Sequence, residues 1–217
     1  MDFQCQCCNL SAIQTPKTVV LASTSPRRQA LFRHLFQHFE IVPSLFDESS
    51  VSLSDPKDLV EKLSYFKALS VVNTNLAEIK DKIVVASDTV VVLDNQILGK
   101  PADVPAALQM LSSLSGKKHS VLSGVTIYYV SPCGKHSHVT YSAESFVTFN
   151  QLSQEQLTEY VESGEAFDKA GGYGIQTNLG SKLVCSHEGC YLNIVGFPVS
   201  SFRTRLALFI EEVVGKN

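Results

Sequence analysis

The chain has 217 residues, 44% of them hydrophobic and 18% charged, and a formal net charge of −3. That length suits one large domain or two lobes sharing a cleft, and the charge excludes the global basic excess of a nucleic-acid binder, so any bound anion has to be held by a local cluster of cations. No apolar stretch is long enough to span a bilayer, and Met1-Asp2-Phe3-Gln4-Cys5 lacks the basic and apolar regions of a secretory signal; a cytoplasmic protein without membrane or nucleic-acid partners is expected.

Residues 1–15 read as a disordered N-terminal tail and residues 16–217 as a single domain, with no internal repeat or interdomain linker after the tail. In a reducing compartment the six cysteines are thiols. A zinc site joining Cys5 and Cys8 to Cys185 and Cys190 has the right local spacing, but the gap between the pairs is very long, and loose surface thiols are the simpler reading.

Thr18-Val19-Val20-Leu21-Ala22 reads as a short strand, followed by a helix with Leu31, Phe32, Leu35, Phe36 and Phe39 on one face. Ser25 suits the N-cap and Pro26 the first helical position. Backbone N–H groups, serine hydroxyls and the guanidinium groups of Arg27 and Arg28 make this junction an anion site; a plain helix start with solvated arginines is the alternative. No Gly-x4-Gly-Lys-Ser/Thr or Gly-x-Gly-x-x-Gly pattern occurs, which argues against a P-loop kinase or a Rossmann dehydrogenase.

Asp47 and Glu48 follow in a loop, either solvated or available to a divalent ion. A second helix runs from Asp55-Pro56 to about Val72. At 100° per residue, Leu59, Leu63, Phe66, Ser70 and Val71 span an arc of roughly 140°. Lys67 falls inside it, so it either snorkels outward or points into a cleft to meet an anion.

The run Ile83 to Leu93 is apolar and β-branched on both sides of Ser87-Asp88-Thr89, the pattern of a central strand buried on both faces. A carboxylate at Asp88 has to be paired, bound to a metal, or exposed in a cleft, because an isolated buried charge is strongly disfavoured. Asp94-Asn95 reads as a tight turn into a short strand ending at Leu98, with Lys100 in the loop beyond it. A helix capped by Asp103 ends at Gly116.

Two longer strands, about His119 to Ser131 and Ser137 to Phe149, form a hairpin turning at Pro132-Cys133-Gly134. Ser153 and Gln156 make a capping box, with Leu152 and Leu157 as its staple, for a helix that stops at Gly164. Ala170-Gly171-Gly172-Tyr173-Gly174 reads as a loop, and a last helix spans about Val199 to Val214. The alternation of strands and helices over the first half gives an α/β fold.

Leu21-Ala22-Ser23-Thr24-Ser25-Pro26-Arg27-Arg28-Gln29, Asp47-Glu48, Phe66-Lys67-Ala68, Ala86-Ser87-Asp88-Thr89-Val90, Gly99-Lys100-Pro101, Phe167 through Gln176, and Val195-Gly196-Phe197-Pro198 stand together in an order that resembles the Maf family of nucleoside triphosphate pyrophosphatases, over about residues 17–212. The resemblance implies a Maf/inosine-triphosphatase-like α/β fold with a central mixed sheet and a cleft between two lobes. It implies hydrolysis of a nucleoside triphosphate to the monophosphate and pyrophosphate with a divalent cation, Mg²⁺ or Mn²⁺. Asp88 is the implied proton acceptor and, with Glu48, the metal-holding residue; Ser23, Arg28, Lys67 and Lys100 are the implied phosphate-binding residues. Arg27, Thr89 and Gln176 match the branch acting on dTTP and UTP, and a glutamine amide offers both the donor and the acceptor that a uracil or thymine edge needs. A pyrophosphatase for 7-methyl-GTP or other modified nucleotides, with a housecleaning role, and a non-catalytic nucleotide-binding regulator stay open as alternatives. Family members are often dimers, which allows a homodimer here. Tyr65-Phe66 departs from the more polar approach to the lysine common in the family, and the cysteine-containing tail has no family counterpart.

Overall fold

The computed structural model describes residues 10–215. Most of the expected tail, including Cys5, Cys7 and Cys8, lies outside the described residues. Of the remainder, Leu10 and Ile13 pack against the core, Ile13 N–H donates to the Leu35 carbonyl at 2.7 Å, and Arg203 donates to the Ser11 carbonyl at 2.6 Å.

Strands β1 (Val19–Leu21), β2 (Phe39–Ile41), β3 (Ile83–Leu93), β4 (Gln96–Leu98), β5 (Lys118–Val130), β6 (His136–Phe149) and β7 (Val184–Glu188) form one seven-stranded mixed sheet. The order is β2-β1-β3-β5-β6-β7, with β4 beside β3. β1 pairs in parallel with β2 and β3, and the remaining pairs are antiparallel. Helices α1 (Pro26–Leu35), α2 (Pro56–Thr74), α3 (Leu76–Ile79), α4 (Val104–Leu114), α5 (Gln154–Glu162), α6 (Asn178–Leu183), α7 (Tyr191–Val195) and α8 (Val199–Phe209) complete the described regular structure, apart from short 3-10 turns and a π-helical extension after α8.

The pleat of β3 distributes the cores, since successive side chains point to opposite faces. Val84 and Ala86 pack with Ala68, Val71 and Val72 of α2. Ile83 and Val85 join Phe32 of α1 and Phe202 of α8. Further along that second face, Val91 and Leu93 join Leu111 of α4 and Tyr160 of α5 in a separate cluster. These two clusters are the cores of two lobes; between them on that face β3 presents Ser87 and Thr89, while Asp88 points to the α2 face.

Local signals explain most boundaries. Asp55 and Asp103 accept from the N–H groups of Asp58 and Ala106, each at 2.8 Å. The box at Ser153 and Gln156 forms in both directions, and Asp94 and Asn95 take the positive φ angles of 48° and 63° that a tight hairpin turn requires. Phe39, expected on the α1 face, instead begins β2. Its ring still meets Phe32 at 5.6 Å, so the apolar spacing identified the right neighbour on the wrong element. Short elements β7, α6 and α7 have no counterpart in the sequence reading. No helix among the described residues is long and apolar enough to cross a membrane.

Candidate active site

β3 is eleven residues long, but its neighbours on one edge are short. β1 pairs only with Ile83 to Val85 and β4 only with Val91 to Leu93, whereas β5 covers the opposite edge from Ile83 to Val92. Residues 86–90 therefore have an open edge. A cleft of about 840 Å³ lies there, between the lobes. Asp88 is buried on its faces yet reachable along that edge.

Asp88 is 7% exposed, and its charge is matched by α2. Lys67 Nζ donates to Asp88 Oδ1 at 2.6 Å and stands 2.9 Å from Glu48 Oε1. Of the two outcomes open to Lys67 from its place on the wheel, the structure has it turned inward. Breaking such a pair leaves an uncompensated charge, at a cost on the order of 3–5 kcal/mol. The second oxygen of Asp88 has no protein hydrogen-bond partner among the described residues.

Asp47 and Glu48, adjacent in sequence, divide their tasks. Asp47 accepts from the Ser49 N–H at 3.0 Å and its hydroxyl at 2.7 Å, which shapes the 3-10 turn. Glu48 lines the cleft. Partial burial works against its ionisation, but Lys67, then Lys100 and Arg28, hold its carboxyl below the usual glutamate value. Stacking of Phe46 on Phe66, centroids 5.1 Å apart, ties the Glu48 loop to the helix bearing Lys67.

α1 supplies the arginines. Arg28 donates through Nε to the Gly196 carbonyl at 2.9 Å and through Nη2 to Thr89 Oγ1 at 3.0 Å. Burial pushes its guanidinium below the ordinary arginine value, opposed mainly by Asp88. Thr89 Oγ1 also meets Ser123 Oγ at 2.8 Å. Ser25 occupies the N-cap position, but its hydroxyl makes no capping bond. Instead the Ser25 N–H donates to Ser23 Oγ at 3.2 Å. Arg27 reaches across the cleft to Asp168, with Nη1 to Oδ2 at 2.6 Å.

The structure brings all the sequence-selected positions to this one cleft. Ser23, Arg27 and Arg28 enter from α1 and its approach; Glu48 and Lys67 from the loop and α2; Asp88 and Thr89 from β3; Lys100 from the loop after β4 and Gln176 from the loop before α6. Two residues without an assigned role, Asp168 and Lys169, also line it, giving five cations and three carboxylates. The protein is acidic overall, yet this cavity carries the local excess of positive charge that a polyanion needs. Asp168 and Lys169 stand side by side before the glycine-rich stretch, and that pairing of charge with a loop was the available signal.

Glu48 and Asp88 converge on one ammonium, so their oxygens are also placed to share a divalent cation. Mg²⁺ accepts one or two carboxylates, completing its shell with phosphate oxygens and water, and this donor set fits. No cluster of three or more His, Cys, Asp or Glu suited to a metal occurs among the described residues; Cys185 is exposed and Cys190 half-buried, and Cys5 and Cys8 lie outside the described residues.

The family model described as Maf-like protein matches residues 18–209. A dTTP/UTP pyrophosphatase of Thermosipho africanus is 49% identical over 182 residues, 84% of this chain and 88% of that protein. One of Clostridium beijerinckii is 40% identical over 189 residues, covering 87% and 97%. A human protein named probable bifunctional dTTP/UTP pyrophosphatase/methyltransferase is 43% identical across 88% of this chain but only 32% of its own length. Among solved structures, the Staphylococcus aureus Ham1 protein aligns over 93% of this chain and 100% of its own, with a TM-score of 0.46 at 13% identity. The family-model match over most of the length and the extended identity to these pyrophosphatases lead to one conclusion: the chain belongs to the Maf family.

Proposed function

We propose that the cleft hydrolyses nucleoside triphosphates, with dTTP and UTP preferred, to the nucleoside monophosphate and pyrophosphate. The observation that carries this reading is a carboxylate in the sheet centre, Asp88, held 2.6 Å from Lys67 at the open edge of a cation-rich cleft. The names of the similar proteins support the same activity.

Lys67, Arg28 and Lys100 supply positive charge along the triphosphate, and Ser23 and the first amides of α1 add hydrogen-bond donors. Asp88 takes the proton from the water that attacks the α-phosphorus. The bond from that phosphorus to the bridging oxygen breaks, and the electron pair leaves with pyrophosphate, whose charge the cations offset. Glu48 and Asp88 would hold a divalent cation, Mg²⁺ or Mn²⁺, which supplies further charge neutralisation at the phosphates. Gln176, with Arg27 and Thr89, faces the base; the amide can both accept and donate along a uracil or thymine edge.

Pyrophosphate release measured over a panel of ordinary and modified nucleotides, with Mg²⁺, Mn²⁺ or chelator, tests the reading. The wild-type chain should turn over dTTP and UTP fastest and stop without metal. Asp88→Asn should bind nucleotide yet lose at least about 100-fold in turnover, the scale of a positioned general base. Near-normal turnover in that variant would remove Asp88 as proton acceptor, and preference for a modified purine nucleotide would replace the pyrimidine assignment.

A further inference from the structure

We infer that Asp168 and Lys169 are specificity-positioning residues, joining Arg27 to Gln176 across the cleft and so fixing how those two side chains meet the nucleobase. The inference rests on the proposed function and deepens it.

Each oxygen of the Asp168 carboxylate holds a different cation. Oδ2 takes Arg27 Nη1 at 2.6 Å, and Oδ1 takes Lys169 Nζ at 2.7 Å. Arg27 Nη2 also donates to the main-chain carbonyl of Asp168 at 3.2 Å. Two nitrogens of one guanidinium on one residue fix the plane of the group as well as its position. The remaining donors of Arg27 are then presented to the cleft in a set direction.

From Asp168 the contacts continue through Lys169 to Gly174, two residues before Gln176. Lys169 is 8% exposed, and its ammonium is pinned by the Glu165 carbonyl at 2.6 Å as well as by Asp168. Its stem runs against Gly174: a Cβ there would lie 2.7 Å from Lys169 Cε, 2.9 Å from Cδ and 3.1 Å from Gln176 Nε2. Positive φ angles of 71° and 70° at Gly171 and Gly172 curl the chain back so that the Lys169 stem meets Gly174. Tyr160 fixes this corner by accepting the Gly174 N–H on its hydroxyl at 3.1 Å. A displacement of Asp168 thus moves Arg27 directly and, through the lysine stem lying against Gly174, the backbone that carries Gln176.

A purely structural role for the carboxylate is weak on magnitude. The Asp168 side chain is 58% exposed, so solvent screens its pairing, and Lys169, only 10% exposed, keeps the Glu165 carbonyl as a partner when the carboxylate is removed. Its effect should fall on the geometry of the cleft.

The test compares wild type with Asp168→Asn and Asp168→Ala by thermal melting and by pyrophosphate-release kcat/KM on dTTP, UTP, dCTP and GTP. The expected result is a near-unchanged melting temperature with the dTTP-to-dCTP and UTP-to-dCTP ratios narrowed by about tenfold, equivalent to about 1.4 kcal/mol. Ratios within about twofold of wild type in both variants would overturn the positioning role, as would a fall shared equally by all four substrates. If the wild-type chain itself releases no pyrophosphate from any of them, the proposed function fails and the positioning role falls with it.

Discussion

Gly124 is the position at which one methyl group should separate the two carriers of the site. It lies opposite Asp88 in the β3–β5 register. A Cβ there would lie 2.1 Å from the Val60 carbonyl oxygen, 2.3 Å from its carbon and 2.7 Å from Glu61 N, all backbone of α2. Ordinary contact begins near 3.4 Å, so in Gly124→Ala the helix has to retreat by about 1 Å or tilt, since backbone cannot rotate aside as a side chain can. Lys67 is two turns further along, about 10 Å away at 1.5 Å per residue. A comparable shift there stretches the 2.6 Å contact with Asp88 to the limit of a hydrogen bond. Overpacking of this kind costs about 1–3 kcal/mol, which for a chain of this size lowers the melting temperature by about 2–12 °C. Turnover should fall by about tenfold or more through the displaced lysine, because 1 Å of misplacement is costly in a positioned site. Thermal melting and pyrophosphate release on the same preparation check both effects. Wild-type melting together with wild-type turnover would refute the claim that direct helix-on-glycine contact sets the Lys67–Asp88 geometry.

Two further outcomes follow from other parts of the molecule. His119 is 3% exposed, meets Tyr173 Oη at 2.8 Å, and burial lowers its pKa from 6.5 to about 4. Above pH 6.5 the imidazole is neutral folded or unfolded; between that value and about 4 the unfolded chain binds the extra proton, so stability drops as pH falls. The loss is on the order of 3 kcal/mol, and denaturant titrations of His119→Phe from pH 7 to 4 should show a slope reduced by up to one proton; an unchanged slope would place the acid sensitivity elsewhere. Gln176→Glu removes the amide donor and sets a carboxylate toward the base, so kcat/KM for dTTP and UTP should drop about tenfold or more relative to other triphosphates. An unaltered substrate ranking in the nucleotide panel would take Gln176 out of base recognition.

The long elements were legible because their patterns repeat. α2 and α4 announce themselves by capping aspartates and proline starts, and the β5–β6 hairpin by alternation and a glycine turn with φ of 85° at Gly134. The segment after Gln176 was not legible, for physical reasons. α6 and α7 have six and five residues, too few for a helical period to show. β7 is exposed along nearly its whole length, so it lacks the buried-polar alternation that marks a strand. α7 is held instead by Asn193, whose amide donates to the Val121 carbonyl at 3.0 Å and to Ser145 Oγ at 3.1 Å. Such cross-sheet bonds leave no periodic trace.

The same distinction governs the site. An apolar run reports what covers the two faces of a strand, and on that basis Asp88 stands out against its neighbours. It carries no information about edges. Accessibility here comes from an edge: β1 stops at Leu21, β4 begins its pairing at Leu98 with Val91, and on that edge residues 86–90 of β3 have no strand partner, while β5 pairs with them on the other. A charged side chain becomes tolerable in the sheet centre through a mismatch in strand length, together with a lysine delivered by a helix that glycine lets approach. Lengthening β1 by pairing through Ala86 and Ser87 would close that edge and bury the carboxylate beyond reach of substrate, so the shortness of β1 is as much a part of the site as Asp88.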